Sequence, residues 1–147
     1  MKALIQRVSS ASVKVKNKTI SSIELGLLIF IGIYHDDTIN DIEKICNKII
    51  NLRMFDDDSK KNNFNISDVK GDILLVSQFT LCAETKKGNR PSFINAMKPD
   101  SAKKLFNLLF NQLLNKNINV YKGKFGEYMN VEINNMGPMT IQLDSRS

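Results

Sequence analysis

The sequence predicts an α+β fold in one domain, a mixed β-sheet covered on one side by two helices. Three observations lead there. The opening residues alternate apolar and polar side chains with the period of a half-buried strand. Two later segments, Leu27–Tyr34 and Asp72–Gln78, are continuous apolar runs rich in branched side chains, as in strands buried on both faces. Two further segments carry apolar residues at helical spacing, one after each of those runs. Strands followed by strand–helix, strand–helix and more strands suit a mixed sheet with its helices on one face.

Residues 2–8 and 11–16 are predicted strands, with Ala3/Ile5 and Val13/Val15 at alternating positions. Asn17-Lys18 suits a hairpin turn, because Asn tolerates positive φ, and 19–24 is the returning strand. Thr38 precedes Ile39, Ile42, Ile45, Cys46, Ile49 and Ile50, the stripe of an amphipathic helix with Asp37 or Thr38 as N-cap. Asp56–Asn63 is polar and reads as a loop. Residues 82–98 lack periodicity but carry Lys86, Lys87, Gly88, Arg90 and Pro91, and read as a long functional loop. A second helix starts near Pro99-Asp100-Ser101, with Ala102, Leu105, Phe106, Leu109 and Leu113 as its stripe, and ends before Asn117. Residues 118–121, 127–134 and 140–143 complete the strands, with Gly137-Pro138 as the turn between the last two.

Composition narrows the function classes. A chain of 147 residues is one domain, 1–147, with no linker or repeat, and is long enough to bury a core without staples. The longest apolar run, Leu25–Tyr34, is ten residues with two glycines, too short to span a bilayer. Charge arrives too early for a signal peptide. Two cysteines, Cys46 and Cys82, support neither a disulfide framework nor a four-ligand zinc site. These features point to the cytoplasm. The net charge of +6 weakly favours a polyanionic partner.

No Walker loop, GxGxxG, GxSxG, HExxH or CxxC occurs. His35 is the only histidine and ends a strand before an acidic turn, where a capping or surface role outweighs catalysis. Cys46 falls on a helix stripe and belongs to the core. Cys82 has nothing beside it to lower its pKa. Two segments remain. Ser77-Gln78-Phe79-Thr80-Leu81 ends a buried strand, where hydroxyl, amide and ladder-free backbone N–H groups can face an oxyanion; a strand fraying into a turn is the plain alternative. Asn135-Met136-Gly137-Pro138-Met139-Thr140 holds a Gly-Pro turn, and X-Pro is the one bond type with an appreciable cis population.

These residues carry a family resemblance. Met1–Val8 with Ala11-Ser12-Val13, the SQFTL of Ser77–Leu81, Lys87-Gly88-Asn89-Arg90-Pro91-Ser92-Phe93, Phe125-Gly126 with Met129, and Asn135–Thr140 stand in order along nearly the whole chain. The chain resembles the D-aminoacyl-tRNA deacylases from end to end. Met139 departs from the family's NxGPVT, standing where valine is usual.

The resemblance implies a barrel-like sheet, a homodimer, no cofactor and no metal. It implies hydrolysis of the ester joining a D-amino acid or glycine to the 3′ end of tRNA, with L-aminoacyl-tRNA spared. Catalysis would fall to Ser77, Gln78, Phe79 and Thr80. The backbone N–H groups around Phe79 and Thr80 would form an oxyanion hole, and Gln78 and Phe79 would meet the terminal adenosine. A cis Gly137-Pro138 would enter the partner subunit's site and select against L-amino acids, while Met129 and Met139 would line the pocket. Lys86, Lys87 and Arg90 would contact tRNA phosphates. Two rivals stay open: a nucleic-acid-binding module without catalysis, and a related deacylase with a trans Gly-Pro bond and looser specificity.

Overall fold

The computed structural model describes residues 1–86 and 88–147. Its elements in chain order are β1 (Lys2–Val15), β2 (Lys18–Ile23), β3 (Gly26–Gly32), α1 (Ile39–Asn51), β4 (Phe55–Asp56), β5 (Asn62–Phe64), β6 (Asp72–Ser77), a 3₁₀ turn (Phe79–Cys82), α2 (Pro99–Leu114), β7 (Val120–Lys122) and β8 (Asn130–Asp144).

The main sheet runs β2-β1-β3-β6-β7, and β8 adds to the other edge of β1. The hairpin β1–β2 and the pairs β1–β3 and β1–β8 are antiparallel; β3–β6 and β6–β7 are parallel. The sheet curls until its two ends meet, where the Ser21 hydroxyl donates to the Lys122 carbonyl of β7 at 3.0 Å. The result is a nearly closed, barrel-like sheet with two helices, as expected.

Curling explains the continuous apolar runs. Leu27, Ile29, Ile31, Ile73 and Leu75 face a large core under both helices, with Ile42, Ile45, Cys46, Ile49, Phe106, Leu109 and Leu113. Leu28, Leu74 and Val76 face the opposite way, into a smaller core with Val8, Val13 and Ile23. Polar residues on either face of these strands would be buried without partners. Helix α1 begins at Thr38, whose N–H and hydroxyl both donate to Asp41 Oδ2, at 2.8 and 3.0 Å. Asp37 does not cap the helix. It receives the Met1 ammonium at 2.5 Å in a buried ion pair.

Three local expectations are corrected. Residues 2–15 form one strand, because β1 changes partner rather than direction: its first half pairs β3 and its second half β2. The Asp56–Asn63 loop contributes the β4–β5 hairpin. Gly137-Pro138 is not a hairpin turn. Both flanks of β8 run antiparallel to β1, Gln6 facing Thr140 and Val8 facing Asn135. Residues 136–138 therefore bulge outward opposite Arg7, and the chain does not reverse.

Candidate active site

The C-terminal ends of the parallel strands β3 and β6 open into a cavity of about 870 Å³. It is lined by apolar side chains, Ile31, Val76, Val131, Met97 and Phe125 among them, and by Ser77, Gln78, Phe79, Lys98, Tyr128 and Met129. Ser77 is the last residue of β6, still in register with Ile31 of β3. Gln78 then donates its backbone N–H to the Ile31 carbonyl at 2.8 Å, the last rung before the chain turns away.

The turn away is the 3₁₀ segment Phe79–Cys82. Leu81 N–H bonds the Gln78 carbonyl and Ala83 N–H the Thr80 carbonyl. The N–H groups of Phe79 and Thr80 find no acceptor among the described residues. These are the donors that any helical turn leaves unsatisfied at its start. Gly32 allows this turn to lie against β3: a Cβ there would stand 2.7 Å from Leu81 Cβ and 3.2 Å from the Gln78 carbonyl. The Gln78 amide donates to Thr80 Oγ1 at 2.6 Å, so the Thr80 hydroxyl is held by an amide and not by a base.

The two thiols are held protonated and the histidine is remote. Burial pushes the Cys82 thiol up to about 11. Burial likewise raises the Cys46 thiol. The His35 side chain is exposed, does not line the cavity and faces Asp36. Glu127 is the one carboxylate in the cavity wall, and Lys124 stands 3.4 Å from it. Among the described residues no three His, Cys, Asp or Glu side chains gather as a metal-ligand set.

The loop after the turn is tied back to the site. Glu84 and Ser92 exchange backbone hydrogen bonds at 2.8 and 3.0 Å. Beyond them Phe93 meets Phe79 edge to face at 5.1 Å, both rings on the cavity wall. Lys86 and Arg90 are exposed on the tip of this loop, away from the cavity lining. Lys87 lies outside the described residues.

The structure thus brings Ser77, Gln78, Phe79 and Met129 together around one cavity. Thr80 is exposed beside them. Gly137, Pro138 and Met139 do not line the cavity of their own chain. Met139 instead packs on the main core, because the inward face resumes after the bulge at 139, 141 and 143. Gly137-Pro138 is exposed, and its peptide bond is cis.

One residue outside the sequence reading organises that bulge. Arg7 is only 6% exposed. It donates to the carbonyls of Met136 and Gly137, each at 3.3 Å, and to the Met54 carbonyl at 2.8 Å. Asp56 and Asn62 of the β4–β5 hairpin accept from the same guanidinium at 3.3 and 3.4 Å. Only a planar fork of donors can bridge so many acceptors at once. A signal was present: in the alternation Ala3, Ile5, Arg7, a charge occupies an inward position. Lys98 and Tyr128 were also missed, since two distant segments bring them to the cavity and no local pattern marks them, while Phe125 was noted only as part of a family motif and not as cavity lining.

A family model described as D-Tyr-tRNA(Tyr) deacylase matches residues 4–144. The chain belongs to that family. Relatives from Thermosipho africanus and Aquifex aeolicus, both named D-aminoacyl-tRNA deacylase, are each 47% identical; the matches cover 99% of this chain and 98% and 99% of theirs. A Bacillus licheniformis relative of the same name is 44% identical over the full length of both chains. Among solved structures, one named c-Myc DNA unwinding element binding protein superposes with a TM-score of 0.92 at 42% identity, over 98% of each chain. Another, described as a probable eukaryotic D-amino acid tRNA deacylase, shares the fold with a TM-score of 0.84 at 15% identity, over 97% of each chain. No helix among the described residues is long and apolar enough to cross a membrane.

Proposed function

We propose that the chain hydrolyses the ester of D-aminoacyl-tRNA, and of glycyl-tRNA, in the cytoplasm, and spares L-aminoacyl-tRNA. The observation that carries this reading is the pair of unsatisfied N–H groups at Phe79 and Thr80 beside an apolar cavity. The ester carbonyl oxygen accepts from both as water adds to the carbonyl carbon, and the developing oxyanion is held by donors already in place. An aminoacyl ester is already activated, so positioning and this oxyanion hole suffice without a side-chain nucleophile. The 2′-hydroxyl of the terminal ribose, beside the ester, assists the attacking water. Ser77 lies at the strand end beside the reacting group, Gln78 and Phe79 contact the adenosine, and Met129 lines the pocket.

Chiral selection comes from a second copy of the chain. Gly137 and Pro138 stand on an exposed bulge and do not line their own cavity. In a homodimer they enter the partner's cavity and present main-chain carbonyls to the substrate ammonium. A carbonyl oxygen has two lone pairs, so Gly137 serves Arg7 and the ammonium together. With ester and ammonium fixed, an L side chain collides with rigid backbone, whereas a D side chain or hydrogen fits. Lys86, Lys87 and Arg90 track tRNA phosphates outside the cavity.

A second reading, nucleic-acid binding without catalysis, is favoured by two observations. A relative 42% identical is named for binding a DNA unwinding element, and the net charge of +6 suits such a partner. Release of amino acid from D-aminoacyl-tRNA by the purified chain separates the two. Turnover supports the deacylase, and binding without release supports the module.

A further inference from the structure

The cavity of about 870 Å³ sits toward the upper end of the roughly 300–1,000 Å³ that encloses one compact ligand. On the deacylase reading that space is taken by the terminal adenosine, its amino acid and Gly137-Pro138 of the partner subunit. The next nucleotide of a single-stranded RNA end must then leave across the rim. Two charged side chains stand in the wall, Glu127 and Lys98. Glu127 is compensated by Lys124. Lys98 is exposed and makes no ion pair among the described residues.

Tyr128 belongs to the same wall, with 99% of its surface exposed. One exposed aromatic alone needs no explanation. An uncompensated cation and an open aromatic face around one ligand-sized cavity are a different matter. Single-stranded nucleic acid is held by cations on its backbone and aromatic rings under its bases. An acidic peptide would use the lysine and leave the ring idle.

We propose that Lys98 and Tyr128 form a subsite for the penultimate nucleotide of the RNA 3′ end. Lys98 takes the phosphate that joins this nucleotide to the terminal adenosine, and Tyr128 stacks on its base. The proposal rests on the deacylase reading and adds to it a second bound nucleotide. Stacking on any base is sequence-tolerant, so the subsite adds affinity to RNA ends without choosing among them.

The test compares D-aminoacyl-adenosine, the D-aminoacylated dinucleotide and the same dinucleotide with its penultimate base removed. The readout is the gain in kcat/KM on adding each part. Wild type is expected to gain at both additions. Lys98→Gln should reduce the phosphate's gain by up to about fivefold at low salt, and the difference should fade at 1 M salt as the charge is screened. Tyr128→Ala should reduce the base's gain by about 5- to 100-fold, while Tyr128→Phe keeps it. Unchanged gains in Lys98→Gln and Tyr128→Ala would overturn the proposal. So would losses of equal size on D-aminoacyl-adenosine, which would place both residues on the terminal nucleoside. A wild type that gains nothing from the second nucleotide would also overturn it. A wild type inactive on all three esters and on D-aminoacyl-tRNA would overturn the deacylase reading and take the subsite with it.

Discussion

Replacing Arg7 by Met is expected to cost both stability and chiral selection. Methionine keeps much of the arginine stem's volume and removes the guanidinium, so the loss reports on the hydrogen bonds. The Met54 carbonyl, which accepts from Arg7 at 2.8 Å, belongs to a fully buried residue. Leaving it without a donor costs about 1–3 kcal/mol. The Asp56 side chain is 45% exposed, so water screens the loss of its partner, and that ion pair adds at most about 1 kcal/mol. Met136 and Gly137 are exposed and their carbonyls turn to solvent, at little cost in stability but with loss of their direction. The sum is about 1–4 kcal/mol. At a urea slope of roughly 2 kcal/mol per molar, the unfolding midpoint should fall by about 0.5–2 M. Where the folded variant is still populated, the ratio of D- to L-aminoacyl-tRNA hydrolysis should drop, because the Gly137 carbonyl proposed to receive the ammonium is no longer held. Arg7→Lys should recover part of the stability but little of the selectivity, since a single ammonium cannot span both carbonyl groups and the β4–β5 hairpin. A variant with an unchanged midpoint and an unchanged D/L ratio would refute the reasoning.

Other consequences are equally direct. Thr80→Ala should retain most of its activity, since no base activates the hydroxyl, whereas replacing the substrate's terminal 2′-hydroxyl by hydrogen should slow hydrolysis by an order of magnitude or more, about 1.4 kcal/mol or above; an inactive, folded Thr80→Ala with an acyl-enzyme trapped on wild type would overturn this. Gly32→Ala drives a Cβ to 2.7 Å from Leu81 Cβ; the displaced turn should lower kcat by about 10–100-fold through the oxyanion donors, read from single-turnover rates. Alanine at Lys86, Lys87 and Arg90 together should flatten the log–log salt dependence of tRNA binding by about 2 and leave the D/L ratio intact; an unchanged slope would make these charges merely solubilising. At Asp41, burial opposes the charge, but hydrogen bonds from Ser145 and Thr38 win and hold its carboxyl down to about 2. Its ionised form therefore contributes stability above the ordinary value of 3.8 that is lost as pH falls from about 4 toward 2. Asp41→Asn should flatten the stability profile in that window, and an unaltered acid limb would contradict the assignment.

The helices were legible because their information is local. Ile42, Ile45, Cys46 and Ile49 lie one turn apart and need only a flat apolar surface to meet. The same holds for the buried strands, whose runs of Leu and Ile announce burial on both faces. Strand continuity was not legible in that way. Whether β1 breaks near Ser9, or β8 turns back at Gly137-Pro138, depends on which strands lie alongside, and β8 meets β1 across more than a hundred residues of chain. The SQFTL segment was legible as a strand end, but the orphan N–H groups of Phe79 and Thr80 exist only because the chain enters a 3₁₀ turn there. Lys98 and Tyr128 carry no local mark, because the cavity that gives them meaning is assembled by the sheet.

The central claim is that this chain removes D-amino acids from tRNA through backbone donors and a chiral fit. The most direct measurement incubates the purified chain, at equal concentrations, with tRNA charged with the D or the L form of one amino acid, and follows the intact ester with time. The D ester should be lost rapidly, and the L ester should decay no faster than in buffer. Equal hydrolysis of both, or of neither, would contradict it.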